Sequence, residues 1–531
     1  MIPYRAPKTG DSLNFLVLFG GFMLLHLVSW PVEYSFGYWV FGDRGNFLNL
    51  PYLLERGFRI GVDTYYLYGL LPVLVQDLLF AVFGRGAWPI IGCQVIYLAL
   101  MAGAYTIIVR NTSNPRLWTI GAFCLAPIII WVNQNFQYLF VHVSMMYALA
   151  FILERRYSLA LAVSAIGCWS VPSLPLVLSG SLLIVVIVHW WLSDNRSLGG
   201  LLRLVAPGAF VYLSLGLVLV AYFGSASVLA TALPLQGASF YKAADYGIFT
   251  SLGIFLYPGK TEGRPDWSPL RYYLFDRATW WVFSTFVLTC FGGHAIRRII
   301  VARHIEPKSA FVALCAVLHI VFILVAYGIP TQHVFYDFLL VAGMFIGLSA
   351  MIVGRFRKVL IATFFTLGIL SHVNQASTTL WLWRATTPTP ESRNFYAFPS
   401  VVKDWTGVVE LSKAKKLFLL TYATGVHHYY PTVDTPDSWI INWGQLLPPD
   451  KERLMAKLNS AEIVVEDLTR ITTIFERDED IKRALASLCL VSKGEHFIIW
   501  SRTPPDPATG ECKSYYRELP ADIRMRGENA L

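Results

Sequence analysis

Charge is scarce in this 531-residue chain, where 15% of positions are Asp, Glu, Lys or Arg against about 25% in soluble globular proteins. The scarcity is uneven. Residues 1–376 carry 24 Lys+Arg and 14 Asp+Glu, or 10% of their positions, whereas residues 377–531 carry 19 and 20, or 25%. This split excludes an ordinary soluble enzyme and predicts a polytopic α-helical membrane protein with an aqueous C-terminal α/β domain. The net charge of +9 lies wholly in the apolar part, so it reads as a topology signal rather than a nucleic-acid site. Motifs are missing too. There is no P-loop, no HExxH and no GxSxG, which removes support for nucleotide chemistry, zinc proteolysis and hydrolase triads. Carboxylates do not cluster at ligand spacing, so no cofactor is assigned and a divalent metal is unsupported. No signal-peptide cleavage site is evident, and the apolar run 13–30 behind Arg5 and Lys8 reads as a first anchor.

What is present is a series of apolar runs. Eleven approach the ~20 residues a bilayer crossing needs: 13–30, 88–109, 117–133, 136–153, 157–173, 175–192, 204–224, 278–296, 309–328, 334–353 and 359–378. A twelfth run, 70–83, has 14 residues and contains Pro72, Gln76 and Asp77. If it does not cross, the inner loops collect 15 Lys+Arg against 4 acids, and the outer loops up to residue 376 hold 9 and 10. If it crosses, 13 of those 15 basic residues move outside, against the positive-inside rule. The expectation is therefore about eleven spans, a cytoplasmic N-terminus, and outer segments 31–87, 225–277 and 379–531.

The outer loops are far longer than the 2–8 residues that join two helices, and loops of that size usually carry function. The first contains Glu33, Asp43, Glu55, Asp63 and Asp77 among Tyr52, Tyr65, Tyr66 and Tyr68. The second contains Lys242, Asp245, Lys260, Arg264, Asp266 and Arg271. A carboxylate can take a proton from a hydroxyl, and Arg or Lys can hold a phosphate leaving group, so the set suits an anionic lipid-linked substrate. Solvated surface charge and interfacial aromatic anchoring are the plainer readings of the same residues.

The order of elements narrows the choice. After the first span come Asp43-Arg44-Gly45, an amphipathic stretch 48–58 with Gly57, the segment Asp63-Thr64-Tyr65-Tyr66-Leu67-Tyr68-Gly69-Leu70-Leu71-Pro72, and a short apolar helix ending Leu79-Phe80-Ala81-Val82-Phe83-Gly84. This resembles the GT-C superfamily of integral-membrane glycosyltransferases, which use polyprenyl-phosphate-linked sugars on the outer or lumenal face. The resemblance implies juxtamembrane helices in the first outer loop and a sugar transfer with inversion. By position, Asp43 matches the family's first-loop acid, a base or acceptor-orienting group. Asp63, Tyr65 and Tyr68 match the segment that shapes the floor of the site. Lys260, Arg264 or Arg271 would stabilise the leaving phosphate, and His333, in Pro330-Thr331-Gln332-His333, falls where some relatives carry an R-x-D-x-x-H element. The chain departs from the pattern at Arg44, at Leu70 and at Asn133-Gln134-Asn135, where many relatives have an acid, a proline and an acid. A second carboxylate, if needed, would come from Asp245, Asp266 or Asp276.

The function expected from the resemblance is transfer of one sugar from a polyprenyl-phosphate donor to a glycan, lipid or protein acceptor, in a bacterial inner membrane and without nucleic acid. A lipid-linked oligosaccharide polymerase or ligase shares the large outer loops. A transporter or flippase fits less well, because only Asp337 and a few His residues fall inside the expected spans and no internal repeat is visible.

Residues 1–378 are thus expected to form the membrane domain, 379–400 a linker bearing Pro388, Pro390 and Pro399, and 401–531 the outer domain. In that domain 416–421, 462–466 and 496–501 read as strands and 479–488 as a helix. It either docks over the loops and shapes the acceptor site or is a structural cap. The adjacent pair His427-His428 reads as a loop or solvated feature. Five cysteines fall in expected spans, and Cys489 and Cys512 are either bridged or two unpaired thiols.

Overall fold

Large apolar side chains along the long helices face outward, Phe210, Leu217 and Phe286 each about 70% exposed, as a lipid-facing surface requires. The computed structural model describes residues 9–130, 136–192, 197–232, 277–325, 336–439, 446–468 and 478–503. Among them six helices are long and apolar enough to cross a bilayer: Gly10–Val28, Ala87–Arg110, Phe136–Leu153, Ser173–Trp191, Leu198–Phe223 and Thr279–Ala302. Four shorter apolar helices join them, Leu71–Phe83, Tyr157–Cys168, Pro307–Ile323 and Asp337–Ala350.

Several expected runs take a different form. The run 117–133 breaks into Pro115–Cys124 and Ala126–Ile129, because Pro127 has no N–H with which to continue the ladder. The run 359–378 becomes Arg355–Leu370 and Val373–Ala385, with a turn at Ser371-His372. The run 157–173 yields only the 12-residue helix Tyr157–Cys168, about 18 Å long and short of a ~30 Å hydrocarbon core.

The early end of that helix has a purpose in the fold. The Gly69 N–H donates to the Ser170 carbonyl (2.9 Å) and the Leu71 N–H to the Trp169 carbonyl (3.0 Å). Carbonyls that lack a partner at a helix end thereby hold the first loop. The approach is so close that a Cβ on residue 69 would lie 2.1 Å from the Trp169 oxygen, so only glycine fits.

Charge pairs fix the ends of the bundle. Arg110, closing Ala87–Arg110, meets Asp11 at 3.1 Å and Glu154, so residues 11, 110 and 154 share one end. Arg85 precedes the same helix and pairs with Glu55 at the other end. Leu71–Phe83 starts beside Trp169 and finishes just before Arg85, so both of its ends lie at that second end. The 14-residue run does not traverse the bundle.

The C-terminal part sits at this same end. Trp383 Nε1 of Val373–Ala385 donates to the Val28 carbonyl (2.7 Å), and the Tyr396 N–H donates to the Tyr34 carbonyl (3.0 Å). A short antiparallel pair, β1 (Thr387–Pro388) and β2 (Tyr396–Ala397), leads into the helix Pro399–Ala414. A four-stranded sheet follows: β3 (Leu417–Leu420), β4 (Ile463–Asp467), β5 (Cys489–Lys493) and β6 (Phe497–Ser501), in the order β3-β4-β6-β5. β3 and β4 are parallel and the other pairs antiparallel. Period-two alternation sorts the two faces. Phe418, Leu420, Val464, Ile498 and Trp500 pack with Leu454, Leu458, Ile481 and Leu485 of the helices Pro448–Ser460 and Glu479–Ala486. Leu417, Leu419, Ile463, Val465 and Phe497 instead join Trp405, Phe36 and Phe41 in the core that continues into the membrane body.

The helix expected over 479–488 is shorter, stopping at Ala486, and Cys489 opens the strand β5, which the sequence did not suggest. Cys489 is disulfide-bonded, and Cys93, Cys124, Cys168, Cys290 and Cys315 are free. Cys512 lies outside the described residues.

The charge pairs predict that single cysteines placed at exposed Arg59 and Arg85, which flank Leu71–Phe83, label from the same side of the membrane with an impermeant maleimide, above the background of the native thiols. Labelling from opposite sides would contradict the non-crossing helix.

Candidate functional site

Asp43 occupies the first turn of Asp43–Glu55, behind Gly42, whose extended backbone (φ −140°, ψ −168°) starts the helix. Unpaired N–H groups and the helix dipole at such a position favour a carboxylate. The segment ahead of it is tied down by a buried clasp. Glu33, 5% exposed, accepts from Arg44 Nη2 at 3.3 Å and meets His26 Nδ1 at 2.9 Å. Its backbone carbonyl accepts from Arg44 Nη1 (2.6 Å) and Trp39 Nε1 (2.9 Å). The Arg44 guanidinium also lies 5.3 Å and 5.2 Å from the ring centres of Tyr38 and Trp39. Arg44, which departs from the acid found in many GT-C sequences, is thus the internal partner of Glu33.

The C-terminal part closes over this helix. The Tyr422 hydroxyl, two residues past β3, donates to Asp43 Oδ1 at 2.8 Å. The short 3-10 helix Thr424–His428 lies directly on Asp43–Glu55, and a Cβ at residue 425 would come 2.0 Å from the Gly45 oxygen. Polar groups fill the seam. Thr424 N–H donates to Asn46 Oδ1 (2.9 Å), and Asn49 Nδ2 donates to the Ser438 carbonyl (2.7 Å). The Trp439 N–H donates to Thr64 Oγ1 (3.1 Å), and the Tyr65 N–H to Asp450 Oδ2 (2.8 Å). Arg453 Nη2 reaches the Asp63 carbonyl (2.6 Å) and Asp450 Oδ1 (2.8 Å), while Arg56 pairs with Asp437.

These contacts decide where the other expected residues lie. The Asp63 carboxylate is gripped by Arg59, at 2.8 Å and 2.9 Å, and the guanidinium holds it below the usual carboxylate range. Tyr65 is 2% exposed, its ring stacked on Trp439. Tyr68 is half-buried between Trp439 and Tyr138, 5.6 Å and 5.9 Å away. Asp63, Tyr65 and Tyr68 therefore build the wall on which the C-terminal part docks, and Asp43 sits at the other end of the same seam. Lys260, Arg264, Arg271 and His333 lie outside the described residues, as do Asp245, Asp266 and Asp276. Among the described residues no group of three His, Cys, Asp or Glu is placed to hold a metal ion.

His427 and His428 correct a second expectation. Their rings lie 4.2 Å apart and pack against Tyr52 rather than facing solvent. Burial pulls the pKa of His427 down to about 4 and that of His428 to about 2. Sequence reasoning also passed over Tyr422, Trp439, Asp450 and the Glu33–Arg44 pair. Glu33 stood out only as a loop acid, and no local spacing links it to Arg44, eleven residues on.

Fold and seam together define a helical membrane protein whose segment between the helices Gly10–Val28 and Ala87–Arg110 is covered by an α/β cap. No known family and no curated protein matches the sequence. Among solved structures the chain is similar to ArnT from Cupriavidus metallidurans bound to undecaprenyl phosphate, at 13% identity and a TM-score of 0.35 over 91% of this chain and 97% of that one. The apo state of the same protein gives 13%, 0.36 and the same coverage. The Archaeoglobus fulgidus oligosaccharyltransferase tethered with an acceptor peptide gives 11% and 0.39 over 92% of this chain and 74% of that one.

Two predictions follow from the seam. Replacing Arg44 by Met leaves the buried Glu33 carboxylate without its guanidinium, a loss of roughly 3–5 kcal/mol. It should appear as a lower melting temperature in detergent, partly recovered when Glu33→Leu is added. A melting temperature equal to wild type would show that the clasp is not needed.

The second concerns pH. Burial pushes the Asp450 carboxyl up to about 6. The native state then holds more protons than the unfolded chain between about pH 4 and 6, so Asp450 favours folding more as pH falls. His427 and His428, kept neutral by burial, act in the opposite sense below about pH 6.5. The difference between wild type and Asp450→Asn isolates the first effect. Between pH 7 and pH 5 the melting temperature of wild type should rise relative to the variant, and a constant difference would contradict the assignment.

Proposed function

We propose that the protein is a membrane glycosyltransferase of the GT-C type, moving a sugar from a polyprenyl-phosphate donor to an acceptor at the face where the cap sits. That face is the outer one and the N-terminus is cytoplasmic in this reading, as the basic inner loops require, in a bacterial inner membrane crossed by about eleven spans. The observation that carries the proposal is the position of Asp43. It is a half-buried carboxylate on a helix N-terminus, at the mouth of an apolar bundle, in the order of elements that resembles the family.

Asp43 takes the proton of the acceptor hydroxyl as its oxygen attacks the anomeric carbon. The bond from that carbon to the phosphate oxygen breaks, polyprenyl phosphate leaves with the bonding pair, and the configuration inverts. Lys260, Arg264 and Arg271 hold the departing phosphate, and His333 lines the same site. Asp63, Tyr65 and Tyr68 form its wall from within the docked seam. Placing the donor phosphate where bilayer meets water keeps the prenyl chain in lipid and the sugar within reach of a soluble cap.

Asp43→Asn keeps the shape of the side chain but removes its proton affinity. The variant should lose transfer of label from radiolabelled polyprenyl-phosphate sugars while still binding the donor. Near-normal turnover would refute the role given to Asp43. Arg264→Ala or Arg271→Ala should instead raise the donor KM.

A further inference from the structure

The hydrogen bond from Tyr422 to Asp43 joins residues 379 positions apart, one in the cap and one in the first outer loop. Resting on the reading of Asp43 as the base, we infer that Tyr422 is a positioning residue for that carboxylate, so that the cap completes the active site rather than merely covering it.

The chain on both sides of Tyr422 is fixed. Thr421, fully buried, donates its hydroxyl to Asp467 Oδ2 (2.6 Å) on β4 and accepts the Ala423 N–H (3.0 Å). Thr424 gives its N–H to Asn46 Oδ1 and its hydroxyl to the Trp439 carbonyl (2.6 Å). Next, the Gly425 backbone lies against Gly45, two residues from Asp43. The phenol is thus delivered from a rigid turn between a sheet edge and the helix it serves. Its target is equally constrained, because the Glu33–Arg44 clasp holds the residue following Asp43.

A hydroxyl donated to one carboxylate oxygen selects a single rotamer and directs the other oxygen at a fixed point. Such preorganisation matters for the proton transfer and leaves binding of a distant prenyl phosphate untouched. Asp43 and Tyr422 come from parts of the chain that meet only when the cap is docked. A free-standing first loop would hold the acid without its orienting partner.

The test is Tyr422→Phe in the full-length protein, assayed with a panel of radiolabelled polyprenyl-phosphate sugars and a membrane-lipid acceptor fraction. Loss of a hydrogen bond to an ionised group should lower kcat by roughly ten- to a hundredfold, with donor KM and melting temperature unchanged. Replacement of Tyr422 by 3-fluorotyrosine, which keeps the hydroxyl, should leave kcat near wild type. A Tyr422→Phe enzyme with wild-type kcat overturns the inference, and so does one whose kcat, KM and melting temperature all deteriorate together, since that marks a structural contact. Asp43→Asn run in parallel separates the two claims. If it is inactive while Tyr422→Phe is fully active, the inference fails and the base assignment stands. If it is active, the base assignment itself fails.

Discussion

Everything at the mouth of this bundle depends on one close approach of backbone to backbone, Gly425 against Gly45. It lets the cap's short 3-10 helix lie on Asp43–Glu55 with no side chain between them. Once they touch, Asn46, Asn49, Thr64 and the Tyr65 amide find partners that only the cap supplies. Buried polar groups left without those partners would each cost on the order of 1–3 kcal/mol, so the seam forms as a unit. A larger residue at Gly425 would open it along its length.

The first loop is therefore held from two directions. From below, the ends of the membrane helices grip it through Trp169 and Ser170 and through His26, which meets Glu33 of the Glu33–Arg44 clasp. From above, the cap grips it through Thr424, Trp439, Asp450 and Arg453. A loop of this length would otherwise be expensive to order. Asp43 lies where the two grips meet, which gives a single carboxylate the rigidity that a strand or helix in a soluble core would otherwise supply.

Much of the membrane body was legible because lipid imposes a simple rule: apolar runs become helices, and the length and charge of each run bear on whether it crosses. The same rule identified 70–83 as a helix that does not traverse, and charge counting agreed with the pairs Arg85–Glu55 and Arg110–Asp11. In the cap, the apolar strands β3, β4 and β6 were visible as short buried runs. The helices Pro399–Ala414 and Pro448–Ser460 were not, since the first follows a Pro-rich stretch and the second begins with Pro448-Pro449 amid charge. β5 was masked because Cys489 follows the Glu479–Ala486 helix after only two residues. Of the residues expected at the site, Asp43, Asp63, Tyr65 and Tyr68 fall along the seam. Tyr422, Trp439 and Asp450 act through contacts spanning about 380 residues of sequence, and no periodicity or spacing encodes such partners.

The most direct measurement is sided transfer. Purified protein is reconstituted into vesicles, its orientation is fixed by protease access to the cap, and label from radiolabelled polyprenyl-phosphate sugars is followed to an impermeant acceptor. Transfer should occur only when donor and acceptor are on the cap side. Transfer from the opposite side, or movement of the labelled lipid across the bilayer without a new glycosidic bond, would contradict a glycosyltransfer centre at Asp43.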